Sequence, residues 1–177
     1  MYSVFLNPGH DRKLDSGAVS PSTGLREADY AWDLSQLIQK YLVAAGIKVY
    51  MLQNDSLGYV CDEADRSNAD IFVSIHCNAF NGVARGTEVE VYSHYSEGAE
   101  VAQYVLDQIV ETVHTVDRGV REHPEFYVLR NTSAPAILIE TAFIDNPQDE
   151  FILVNRKDDI ARAIARGITD YFKHGKW

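Results

Sequence analysis

Cysteine is scarce: Cys61 and Cys77 are the only two in 177 residues. A disulfide framework needs more of them in a smaller chain, and their separation rules out a CxxC pair. Both read as ordinary free thiols, which behave as small hydrophobes once buried. No apolar run approaches the ~18 residues of a membrane span, so no membrane segment is expected. No basic region or small-residue cleavage site accompanies the opening residues, which already read as a strand, so no secretory signal is expected. As it stands, the chain reads as an intracellular product, a mature domain or a piece of a longer protein. Positive charge is also short, with 16 Lys and Arg against 26 Asp and Glu and a net charge of −10. Phosphate binding wants clustered Lys and Arg, which argues against a nucleic-acid partner. Internal repeats, low-complexity segments, linkers and local HExxH-type metal signatures are absent too.

What remains is a chain with 46% hydrophobic and 24% charged residues, ordinary for one soluble domain with a sizeable core. Tyr2–Leu6 reads as a strand that stops at the breaker Asn7-Pro8-Gly9. His10 to Leu25 is a long polar loop, a length uncommon in compact domains unless it carries function. Helical periodicity runs from about Arg26 to Ala45 and ends at Gly46. Lys48–Leu52 is the next strand and Tyr59–Asn68 a short helix. Asp70–His76 is rich in β-branched residues, as expected of a strand covered on both faces. Thr87–Tyr92 alternates glutamate with apolar residues, which predicts a strand nearer an edge. Gly98–Val113 is helical, His114–Pro124 irregular, Phe126–Leu129 a short strand and Ala136–Glu140 a buried one. A helical turn follows Asn146-Pro147, then a last helix from about Asp158 to Phe172. Strands alternate with helices throughout. The expected fold class is therefore α/β: one domain over residues 1–177, with a twisted, mostly parallel sheet of about six strands and helices on both faces.

In such sheets, ligand sites form beyond the carboxyl ends of the strands. His10 follows the first strand, His76 ends the third, Glu140 ends the last buried one, and Glu27 opens the helix after the long loop. Two imidazoles and one carboxylate with a position left open is a catalytic zinc design. Such a metal would bring its water toward pKa ~7 and polarise a carbonyl oxygen. One more carboxylate could take the water's proton and pass it to a leaving nitrogen. An ionised Glu140 would also neutralise the charge that zinc and Glu27 leave over. Singly, His10 is a polar loop residue, His76 a satisfied core histidine and Glu27 a first-turn helix charge. Glu140 in its apolar run Ala136-Ile-Leu-Ile-Glu-Thr-Ala-Phe-Ile144 is the sharpest case, because burying a lone carboxylate is costly. His94, His114 and His174 are expected to face solvent, and Cys77 to point away from the face that carries His76.

The ordered pieces Asn7-Pro-Gly-His10, Ser16-Gly-Ala18 leading to Glu27, Arg66 with Asn68-Ala-Asp70, Ser74-Ile-His-Cys-Asn-Ala79, Gly86-Thr-Glu-Val-Glu-Val-Tyr92, Tyr127-Val-Leu-Arg130 and Pro135-Ala-Ile-Leu-Ile-Glu140 extend over nearly the whole length. Together they resemble the zinc-dependent N-acetylmuramoyl-L-alanine amidases, the amidase type 3 family of cell-wall hydrolases. The resemblance implies zinc ligands His10, Glu27 and His76 and a catalytic carboxylate, Glu140. It implies a peptidoglycan substrate and work at the bacterial cell wall, extracellular or periplasmic. Lone catalytic domains of this kind resemble those of phage endolysins, and secreted housekeeping amidases contain the same domain. The family usually has Asp where Asn7 stands and two glycines where Asp11 and Arg12 stand, so the loop after His10 is expected to differ in shape. Two other readings stand beside it: a zinc carboxypeptidase acting on the stem peptide, and an inactive wall-binding domain.

Overall fold

Side chains alternate strictly between two apolar layers along β1 (Ser3–Pro8) and β3 (Ile71–Asn78), and this alternation positions everything that follows. Val4, Leu6, Ile71, Val73, Ile75 and Cys77 enter a large core, whereas Phe5 and Phe72 enter a smaller one on the opposite face. The computed structural model of the chain describes residues 1–175. Among these residues the remaining elements are α1 (Glu27–Ala44), β2 (Lys48–Met51), α2 (Leu57–Ser67), β4 (Thr87–Val91), α3 (Glu97–Val113), β5 (Asp117–Glu122), α4 (Tyr127–Asn131), β6 (Ala136–Phe143), α5 (Pro147–Asn155) and α6 (Lys157–His174).

The strands form one sheet in the order β2-β1-β3-β6-β4-β5. All pairings are parallel except β4 with β6. The fold is thus a single α/β domain with a mostly parallel six-stranded sheet and helices on both faces. Helices α1, α3 and α6 cover the large core, and α2 and α4 cover the small one. Gly167 lets α6 approach α3 closely, since a Cβ there would lie 2.6 Å from Val105 Cα.

Two local readings are corrected. Phe126–Leu129 is not a strand: Tyr127–Asn131 is helical, and the adjacent residues Val128 and Leu129 are both buried in the small core. Packing against that core overrides the β-preference of Tyr, Val and Phe. The segment 114–124 is not irregular throughout, because Asp117–Glu122 forms β5. This edge strand carries one apolar side chain, Val120, and is paired with β4 along its backbone, so its hydrophobic pattern is silent. Thr87–Val91 is next to the edge strand, in keeping with the expectation of a strand nearer an edge. It lies between β6 and β5, and its alternating Glu88 and Glu90 are buried. Glu88 is satisfied there by Arg118, Arg121 and Asn78.

Candidate metal centre and active-site groove

The same alternation that buries Phe5, Phe72 and Leu138 in the small core puts Asn7, Ser74, His76 and Glu140 on that face of the sheet, farther along the parallel strands. His76 and Glu140 are register partners on neighbouring strands. The helices leave this end open. A cavity of about 640 Å³ lies there, lined by His10, Glu27, His76 and Glu140 among others.

Loop geometry brings the remaining groups in. The segment after β1 turns sharply, with His10 in the left-handed region at φ 62°, a conformation that costs on the order of 1 kcal/mol and is typical of functional sites. Asp11 and Asp15 pair backbone to backbone, closing a short turn. That turn places the Asp15 carboxylate 2.6 Å from His10 Nδ1. The loop then folds back on α1, where the Glu27 amide donates to Ala18 and the Ala28 amide to Ser16. Glu27, the first residue of α1, is only 4% exposed.

Glu27 is the hub. Its Oε1 accepts from the Cys77 amide at 3.0 Å and lies 2.9 Å from His76 Nδ1. Its Oε2 accepts from the Ala18 amide at 2.9 Å and lies 3.0 Å from His10 Nε2. One donor atom from each of His10, Glu27 and His76 falls within 4.8 Å of the other two. Burial pushes the Glu27 carboxyl up, but the hydrogen bonds from His10 and His76 outweigh it and hold the group well below the usual range. The bond to Glu27 raises His10 to about 9, against the opposing effect of burial. Glu140 is different. Burial, then the Glu27 charge, push its carboxyl well above the usual value, and its Oε2 has no hydrogen-bond partner.

The structure brings all four sequence-predicted residues to one cavity: His10, Glu27 and His76 as a cluster, Glu140 beside them. Cys77 faces the large core, its thiol next to Thr141, so it lies on the face opposite His76. His94, His114 and His174 are exposed. Residues that sequence reasoning missed are Asp15, Gly9 and Gly17. A Cβ on Gly9 would lie 2.6 Å from His76 Nδ1, and one on Gly17 2.6 Å from Glu27 Oε2, so both glycines are part of the cradle. A carboxylate five positions after His10 was the available signal for Asp15. Asn7, where the family usually has Asp, is buried, accepts from Ser74 Oγ at 2.9 Å and donates to the Leu52 carbonyl at 3.1 Å.

The sequence matches the family model described as N-acetylmuramoyl-L-alanine amidase over residues 4–170. It is 32% identical to N-acetylmuramoyl-L-alanine amidase LytC of Bacillus subtilis across 97% of this chain and 36% of that protein. The chain therefore spans about a third of LytC's length. Its structure is similar to that of an N-acetylmuramoyl-L-alanine amidase from Clostridium difficile 630, with a TM-score of 0.92 and 32% identity over 99% of this chain and 98% of that one. It is also similar to amidase AmiC2 of Nostoc punctiforme, with a TM-score of 0.90 and 32% identity over 98% of each chain.

Proposed function

The chain belongs to the N-acetylmuramoyl-L-alanine amidase family, and from that premise we propose that it is a zinc-dependent hydrolase of bacterial peptidoglycan. The bond cut is the amide between the lactyl group of N-acetylmuramic acid and the L-alanine that opens the stem peptide. Its place of work is the cell wall. The observation that carries this reading is the convergence of His10, Glu27 and His76 beside an unpartnered carboxyl in an open cavity. Two imidazoles and a carboxylate are the donor chemistry of a catalytic zinc site, and Glu140 stands outside that set of three. The residues present fit the metal.

Zinc held by these three would supply Lewis acidity to the scissile carbonyl and the attacking water. The protein's own groups do the rest. Asp15 holds the His10 ring by Nδ1, so that Nε2 faces inward. The Cys77 and Ala18 amides fix both oxygens of Glu27. Glu140 carries the proton. A dication held by the three ligands would offset the Glu27 charge and favour the ionised Glu140, whose Oε2 would take a proton from water as the hydroxyl adds to the carbonyl carbon, then deliver it to the nitrogen as the C–N bond breaks. The products are a lactyl carboxylate on the glycan and a free α-amine on L-alanine. A carboxypeptidase would want a cation for the terminal carboxylate, and among the described residues no Lys or Arg lines the cavity.

Digestion of purified peptidoglycan with mass analysis of the products tests the reading. Stem peptides that begin with free L-alanine, together with intact glycan, are expected. Release of D-alanine alone, or no release at all, would overturn it.

A further inference from the structure

The groove is one-sided in charge. Among the described residues five carboxylates line it, from Asp15, Glu27, Asp55, Glu125 and Glu140, and no Lys or Arg does. A bound dication leaves this lining negative. Arginines outside this lining are engaged elsewhere: the Arg12 guanidinium lies 4.2 Å over the Trp32 ring, and Arg118 and Arg121 hold Glu88. Three of the five acids are engaged at the floor, where Asp15 and Glu27 hold histidines and Glu140 presents its unpartnered oxygen. Asp55 and Glu125 are different, since both are exposed. Asp55 sits just before α2, and Glu125 just before α4, where its Oε1 lies 2.7 Å from His123 Nδ1. These two helices cover the same face of the sheet, so the two carboxylates form a rim beyond the reacting centre.

We propose that Asp55 and Glu125 select stem peptides by charge, favouring those with a free side-chain ammonium on the third residue. This rests on the amidase reading above. An extended chain advances roughly 3.3–3.6 Å per residue. The third residue of an extended stem peptide whose first amide sits at Glu140 therefore reaches up to ~7 Å farther along the cavity that Asp55 and Glu125 also line. Stem peptides carry carboxylates as well as one diamino residue. An all-acidic groove repels the former and attracts the latter, so discrimination comes from both terms.

The test compares two soluble N-acetylmuramoyl tripeptides with lysine at the third position, one with its side-chain amine free and one with it acetylated. For the zinc-loaded wild type, kcat/KM should favour the free amine roughly threefold to tenfold at low ionic strength, the range of one or two exposed charge pairings. The preference should shrink in 0.5 M salt. The double variant Asp55→Asn/Glu125→Gln should bring the ratio below about twofold, through a higher KM for the free amine. Asp55→Lys, which brings the two rim positions to zero net charge, should likewise bring the ratio below about twofold. Equal rates in the wild type, or a preference that survives the double variant, would overturn charge selection while leaving the amidase reading intact. Cleavage of neither substrate would overturn both.

Discussion

At the scale of single residues, the candidate centre depends on groups with nothing to react. Gly9 is the clearest case, because an added methyl would enter the space of the His76 ring. Gly9→Ala should displace that imidazole and lower zinc affinity by at least tenfold, with the melting temperature little changed. Chelator competition and a thermal melt on the same preparation check this, and full zinc affinity in the variant would count against the cradle. Asp15 acts through His10. Asp15→Asn keeps a hydrogen-bonding oxygen but loses the charge, and should cost about 10-fold to 100-fold in zinc affinity, the usual effect of removing such an outer partner. Cys77 is the counter-case. Burial, then the Glu27 charge, push its thiol well up, so it stays protonated and inert. Cys77→Ser should leave zinc content unchanged, and loss of zinc from a folded variant would show the thiol to be a ligand. His10, His76 and Glu140 were legible because a histidine or acid at or just past a strand end is conspicuous, and Glu27 because it opens the helix after a long polar loop. Asp15 and the two glycines were not, because their roles exist only once the Asp11–Asp15 turn has closed.

At the scale of elements, legibility followed apolar content. Strands β1, β3 and β6 and helices α1, α3 and α6 bury long periodic runs, and their sequence pattern shows it. Strand β5 and helix α4 escaped, since the one has a single apolar side chain and is paired along its backbone with β4, and contact with the small core decides the other. Close helix packing makes its own prediction. The Cβ of Gly167→Ala would lie 2.7 Å from the Tyr104 carbonyl oxygen, and forcing α3 and α6 apart should cost about 1–3 kcal/mol in denaturant unfolding. A second prediction concerns β4. Glu90 is 2% exposed, and burial raises its pKa to about 7 against the opposing charge of His123. The folded chain thus holds this proton more tightly than the unfolded chain does. The contribution to stability is fullest below about pH 4.5 and is lost as pH rises through about 7. Glu90→Gln should flatten that decline and be the more stable form at pH 8, by on the order of 1 kcal/mol. Parallel wild-type and variant stability curves from pH 5 to 8 would contradict it.

At the scale of the whole molecule, topology explains why four residues spread from position 10 to position 140 meet. Strands β1, β3 and β6 run parallel side by side, so the residues at or beyond their carboxyl ends share one end of the sheet, and α1 starts there with Glu27. The sheet class and this gathering were legible from the alternation of strands with helices. The groove's acidic rim was not, because Asp55 and Glu125 lie in loops whose meeting depends on how α2 and α4 pack.

The central claim is a division of labour, in which three residues hold a metal and a fourth moves a proton. Zinc content and peptidoglycan turnover, measured on the same preparations of Glu140→Gln and His76→Ala, test it most directly. Glu140→Gln keeps the size and an acceptor oxygen but cannot take a proton. It should retain about one zinc per chain and lose roughly 10²-fold to 10⁴-fold in rate. His76→Ala should lose the metal and the activity together. An active Glu140→Gln, or one that is inactive because it holds no zinc, would contradict the account.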